Sequence, residues 1–142
     1  MASAWACADC GFSLGEPIAS LEASELCFVS DRRFPGRCVL TLREHATELF
    51  EVSTSARQAF TEDMSRAARA IKLAIDAFKM NYEILGNADP HVHCHLIPRQ
   101  RDEPNPLVPA WLHPQPQAEL DEASARRIKD RIRELLDAEG YR

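Results

Sequence analysis

No apolar run in this chain of 142 residues approaches the ~20 that a bilayer-spanning helix needs, so no transmembrane segment is expected. The first eleven residues lack a basic start, a hydrophobic stretch and a cleavage site. No export signal is therefore expected, and the cytoplasm is the expected location. A positive excess is missing too. Seventeen Lys and Arg face 22 Asp and Glu, a net charge of −5, which argues against broad nucleic-acid binding but suits a small phosphorylated ligand held in a local pocket. The cysteines number five, an odd count without a secretory signal, so no disulfide framework is expected and a reducing compartment is. What is present is ordinary: 45% apolar and 27% charged residues, in a length that suits one domain over 1–142 with its own core.

Residues 1–20 read as an irregular N-terminal segment carrying Cys7-Ala8-Asp9-Cys10-Gly11. Leu26-Cys27-Phe28-Val29 and Arg37 to Leu42 read as strands, separated by a turn at Asp31 to Gly36 that Pro35 and Gly36 make possible. Glu44 to Phe50 reads as a short helical piece. Ser53 or Thr54 then caps a helix running to about Phe78, whose apolar residues Phe60, Met64, Ala67, Ile71, Ala74, Ile75 and Phe78 recur every three or four places. Asn81 to Leu85 alternates as a strand, and Gly86-Asn87-Ala88-Asp89-Pro90 breaks it. A second strand follows at once, which favours an antiparallel hairpin with a short turn.

The segment 99–142 is a proline-rich tail followed by a helix. That helix, Asp121 to about Ala138, buries Ile128, Ile132, Leu135 and Leu136 and stops at Gly140; its alternating basic and acidic residues form a solvated face. Strands with segregated helices make an α+β domain.

The decisive feature is His91-Val92-His93-Cys94-His95. In a strand, successive side chains alternate between faces, so the three imidazoles share one face while Val92 and Cys94 point into the core. Rings that titrate near neutrality, gathered this way, can attack, hold and protonate a phosphate group. A purely metal-binding trio is the rival reading. Cys7-x-x-Cys10-Gly11 is the second cluster: two thiolates at zinc spacing, with a glycine that allows the tight turn aiming backbone N–H groups at sulfur. An empty reduced knuckle and a redox dithiol are its alternatives. Arg99 and Arg101 either attract polyphosphate or sit as solvated loop charges.

The triad, with the two apolar-type positions that follow it, resembles the signature of the histidine-triad (HIT) family of nucleotide hydrolases and transferases. Phe34-Pro35-Gly36, Arg43-Glu44-His45 and Asn81 to Asn87 extend the likeness, the last toward the bacterial diadenosine-polyphosphate-hydrolase-like branch. The resemblance implies an HIT-like fold: an antiparallel sheet of about five strands, one long helix packed on it, and a C-terminal helix. It implies that His93 attacks the α-phosphorus of a nucleotide, that His95 holds the phosphate oxygens, and that His91 orients the nucleophile's surroundings or binds metal.

Dinucleoside polyphosphates or nucleoside phosphoramidates are the implied substrates. A nucleotidyltransferase or phosphorylase using the same histidine is the alternative, with a non-catalytic zinc or nucleotide-binding module behind it. Asn81 and Asn87 are candidate contacts to phosphate or leaving group, or else local hydrogen-bonding residues. Trp111 is a candidate contact to substrate or partner subunit, since family members place aromatic residues there near the partner's site. By the same resemblance a structural zinc would be held by Cys7, Cys10, His45 and His91, no organic cofactor is expected, and the chain pairs as a homodimer. One departure is visible: Ala88 stands where some members carry a serine near the leaving group.

Overall fold

The computed structural model describes residues 5–139. Its strands are β1 (Glu16–Ser20), β2 (Ser24–Phe28), β3 (Cys38–Leu42), β4 (Lys79–Glu83) and β5 (His93–Arg99), and its helices α1 (Thr54–Ile75) and α2 (Glu122–Ala138). The strands form one antiparallel sheet in the order β1-β2-β3-β5-β4. This is the expected α+β, HIT-like arrangement. No helix among the described residues is long and apolar enough to cross a membrane.

Both helices lie against one face of the sheet. Phe60, Ala67, Ala68 and Ile71 of α1 and Ile132 and Leu136 of α2 bury with Leu26, Leu40, Leu42, Cys94 and Leu96 of the central strands. Phe60, Ala67 and Ile71 belong to the stripe read from the sequence, and Ala68, outside that stripe, joins them in the core. One buried residue of α1 breaks the apolar pattern. Asp63, fully buried, accepts hydrogen bonds from the Glu22 and Ala23 amides and from Ser24 Oγ, tying the β1–β2 turn to the helix.

Five expectations need correction. Residues 16–20 are strand, not irregular: β1 is a sheet edge with a bulge between Pro17 and Ala19, and that interruption hides the alternation. Glu44 to Phe50 is not helical, apart from a single 3-10 turn at Leu49–Glu51, because Glu51 folds back onto the amides of Thr47 and Glu48. Helix α1 stops at Ile75, where Asp76 takes a left-handed conformation (φ 56°) and frees Phe78 to pair its amide with the Arg99 carbonyl. The hairpin connection, residues 84–92, is longer than the break at Gly86 to Pro90 indicated. Strand β5 begins at His93, so His91 lies just outside the ladder. Gly140, read as the stop for α2, lies outside the described residues; Asp121 caps the helix as expected, accepting from the Ser124 amide.

The turn before β3 depends on Gly36. Its φ of +97° suits glycine, and a Cβ there would come within 2.5 Å of Ile75 Cγ1.

Candidate functional site

Residues opposite each other in the ladder share a face, so the register defines the surface turned away from the helices. His93 faces Thr41 of β3; His95 sits between Val39 of β3 and Glu83 of β4. His93 and His95 alternate with Cys94 as the strand period requires, and their rings meet edge-on with centroids 5.1 Å apart. Cys94, Cys27 and Cys38 are buried thiols; burial pushes Cys94 up to about 12 and Cys27 to about 11. Neither attacks anything at neutral pH.

Each imidazole has a definite anchor. His93 Nδ1 lies 2.5 Å from the carbonyl oxygen of His91, so Nδ1 carries the proton and donates it. The lone pair is then on Nε2, in a ring that is buried beneath Phe12. His91 donates Nε2–H to the Leu42 carbonyl at 2.6 Å, which leaves its Nδ1 lone pair pointing to Cys10 Sγ at 3.3 Å. His95 differs. Its Nδ1 receives a hydrogen bond from Arg37 Nη2 at 3.3 Å, so the neutral ring carries its proton on Nε2. Burial first, then the positive charge of Arg37 and the neighbouring His93, push His95 down to about 4. It is a neutral donor at pH 7.

The Cys7–Cys10 knuckle folds against this end of the site. Gly11 (φ +76°) closes it, with the Gly11 amide donating to the Cys7 carbonyl at 2.8 Å. Cys7, Cys10, His45 and His91 bring one ligand atom each to within 4.8 Å of one another. Cys7 Sγ lies 3.6 Å from His45 Nδ1. This matches, and the 3.3 Å Cys10–His91 separation falls a little short of, the ~3.6 Å sulfur–nitrogen edge of a zinc tetrahedron with bonds of about 2.3 and 2.1 Å. The Cys7 thiol lies below its usual value. Burial opposes this, but amide donors from Cys10 and Asp9 and the contacts with Cys10 and His45 outweigh it. The four residues fit a tetrahedral metal, and the His91–Leu42 bond is the outer anchor such a ligand needs.

Aromatic rings cover the imidazoles. Phe12, just beyond the knuckle, stacks on His91 and His93 at 5.3 and 4.6 Å. Trp111, in the 3-10 turn Ala110–Leu112 of the proline-rich segment, places its ring edge-on to His95 at 5.5 Å. It reaches the triad of its own chain. A cleft of about 160 Å³ reaches His91 and His93, bounded by Leu49, Phe50, Ile84 and Leu85. A cavity of about 740 Å³ beside Arg32, Arg33 and His113 touches none of the triad.

The asparagines separate. Asn87 is exposed in the 84–92 connection, whose residues Ile84 to Gly86 border the cleft. Asn81 shares the triad face, and its carboxamide oxygen accepts from Arg99 at 2.7 Å. Arg99 is neither a loop charge nor free for polyphosphate: it lies buried in β5 and also binds Glu103 and the carbonyls of Asn105 and Val108. Arg101 packs over the Phe78 ring.

Three neighbours of the site were not read from the sequence. Arg37 and Asp31 flank the Pro-Gly turn, and only the β3–β5 register, with Val39 opposite His95, reveals that Arg37 reaches His95. Phe12 gives no signal, since nothing local says that the knuckle folds over the sheet.

A family model described as the HIT domain matches residues 21–102. The chain belongs to the HIT domain family. HIT proteins are generally nucleotide hydrolases and transferases, and they bind nucleotides. A histidine triad protein from Sinorhizobium meliloti is 29% identical, with a TM-score of 0.79 over 86% of this chain and 90% of that one. One from Bradyrhizobium japonicum is 25% identical, with a TM-score of 0.77 over 83% and 87%. A zinc-bound histidine triad family protein from Mycobacterium smegmatis, 18% identical, shares the fold with a TM-score of 0.67 over 93% and 96%. No curated protein matches the chain.

Proposed function

We propose that this HIT protein cleaves nucleotides at the α-phosphate through a nucleotidyl-His93 intermediate, acting on dinucleoside polyphosphates or nucleoside phosphoramidates. The observation that carries the reading is the opposite tautomers of the two β5 rings. His93 holds its proton on Nδ1 against the His91 carbonyl and offers a lone pair, while His95 offers an N–H. One is built to attack and the other to hold an oxyanion.

In the first step the His93 Nε2 lone pair forms a bond to the α-phosphorus. The bond from phosphorus to the leaving group breaks, and its electron pair departs with that group. His95 Nε2–H donates to a non-bridging oxygen as charge builds there. In the second step water attacks phosphorus and the P–N bond breaks. The electron pair returns to Nε2 and the water proton passes to solvent or phosphate. His91 contributes through its carbonyl, which fixes His93. Asn87, Asn81 through its amide group, and Trp111 remain the candidate substrate contacts.

Cys7, Cys10, His45 and His91 would hold a structural zinc, a reading also supported by the zinc-bound mycobacterial relative. Bound there, the ion would pin the knuckle and the His91 ring, and through the His91 carbonyl steady the nucleophile. The β4 edge supports pairing as a homodimer: it ends the sheet, and Tyr82 of β4 and Leu107 beside it are exposed.

Turnover of diadenosine polyphosphates and an adenosine phosphoramidate by wild type and His93→Ala tests the proposal. Loss of turnover with retained nucleotide binding is expected. Equal rates would overturn it and leave the chain a nucleotide- or zinc-binding module.

A further inference from the structure

Arg37 has no role in the chemistry above beyond its bond to His95, yet it is one of the most constrained side chains in the molecule. It is 6% exposed. Its Nη1 donates to Asp31 at 2.8 Å, and Asp31, fully buried, also accepts from Arg33 and from the Arg33 amide. Its Nη2 donates to His95 Nδ1, its charge lies over the Trp111 ring at 5.7 Å, and its Nε is buried without a hydrogen-bond partner. A buried cation with an orphaned donor is a poor device for stability alone.

A reactive imidazole is ordinarily oriented by an acceptor behind it, a carbonyl or carboxylate that draws the proton to the rear nitrogen. His93 follows that rule. His95 has the reverse: a permanent cation that can only donate. Protonating His95 would set N–H against N–H and two positive charges 3.3 Å apart. The ring therefore has one accessible state, with its single proton on Nε2.

We propose that Asp31 and Arg37 form a positioning pair that locks His95 in this state, so that the ring holds the phosphoryl oxygens and cannot protonate a leaving group. The consequence for substrate choice rests on the function proposed above. Cleaving a phosphoanhydride breaks a P–O bond and releases a phosphate oxyanion that needs no proton. Cleaving a phosphoramidate breaks a P–N bond and requires the departing nitrogen to be protonated. Ala88 supplies no hydroxyl near the leaving group, and the locked His95 supplies no acid. The preferred substrate is then a nucleotide joined through a phosphoanhydride.

The test uses full-length protein, prepared without chelator, with ¹⁵N-labelled histidine. Long-range ¹H–¹⁵N spectra are compared for wild type, Arg37→Lys and Arg37→Met. Wild type is expected to show His95 wholly as the Nε2–H form at neutral pH, and Arg37→Met a mixture in which the Nδ1–H form is visible. An Nδ1–H ring in wild type would overturn the proposal, as would an unchanged His95 spectrum in a folded Arg37→Met protein. Arg37→Lys, which keeps a cation that only donates, is expected to retain the Nε2–H form. If Arg37→Met does not fold, Arg37→Gln replaces it, since its neutral amide can accept as well as donate, and an unchanged His95 spectrum in Arg37→Gln would also overturn the proposal.

In turnover, a diadenosine polyphosphate is expected to exceed adenosine phosphoramidate at least tenfold in kcat/KM. Arg37→Met is expected to lower kcat about tenfold with KM within twofold. Faster phosphoramidate cleavage would overturn the substrate inference. If His93→Ala turns over as fast as wild type, the nucleophile assignment falls while the spectra still decide the part played by Arg37.

Discussion

His95 couples the site to the stability of the fold. Its folded value lies at about 4, against an ordinary 6.5. Between those values the unfolded chain takes up a proton that the folded chain refuses, so stability falls as pH drops through this window and levels off below it. At pH 5 the difference amounts to about 2 kcal/mol, obtained from the two protonation equilibria at 1.36 kcal/mol per unit. For a chain of this size that is a fall of roughly 6–8 °C in Tm. Other groups also respond to acid. His91 is depressed, by burial before all else, and Asp31 is held low by Arg33 and Arg37 against the effect of its burial.

A variant that removes only the His95 term isolates it. His95→Gln keeps an acceptor for Arg37 and does not titrate. Denaturant unfolding at pH 7.5 and pH 5 is expected to show wild type losing about 2 kcal/mol more than His95→Gln between the two conditions. Parallel losses in the two proteins would refute the reasoning, because His95 would then titrate alike in the folded and unfolded chains.

Asp63→Ala strips the acceptor from two amides and the Ser24 hydroxyl; about 3–5 kcal/mol of destabilisation is expected by denaturant unfolding, and a loss below 1 kcal/mol would show the clamp to be idle. Gly36→Ala drives a Cβ into Ile75 from a positive-φ backbone and is expected to cost about 2–4 kcal/mol in denaturant unfolding; a cost below 1 kcal/mol would show that the turn tolerates a side chain. Cys10→Ser is expected to reduce zinc from about one per chain to less than half in elemental analysis and to lower Tm; equal zinc in both proteins would exclude Cys10 as a ligand.

The main elements of the fold were legible because their signals are local. The α1 stripe, the caps at Ser53 and Asp121, and the Pro-Gly turn each act within a few residues. Strand β1 escaped because its pattern is interrupted at a bulged edge, and the end of α1 because an aspartate rather than a glycine took the left-handed position. Within the site, the alternation of His93 and His95 follows from the strand period. The gathering of Cys7, Cys10, His45 and His91 does not. It depends on chain segments far apart in sequence, and only the family resemblance had connected them. The donor behind His95 was invisible for the same reason. A tautomer is set by its partner across the sheet, and no spacing along β5 records that the partner is Arg37.

The central claim is that His93 presents a free Nε2 lone pair to phosphorus. Acid-free rapid quench of the protein with a diadenosine polyphosphate, followed by intact-protein and peptide mass spectrometry, tests it most directly. One nucleotidyl group on the peptide containing His93, absent from His93→Ala and lost on standing in water, is the predicted result. A turnover-competent protein whose nucleotidyl group sits on another residue, or that turns over equally well without His93, would contradict the account.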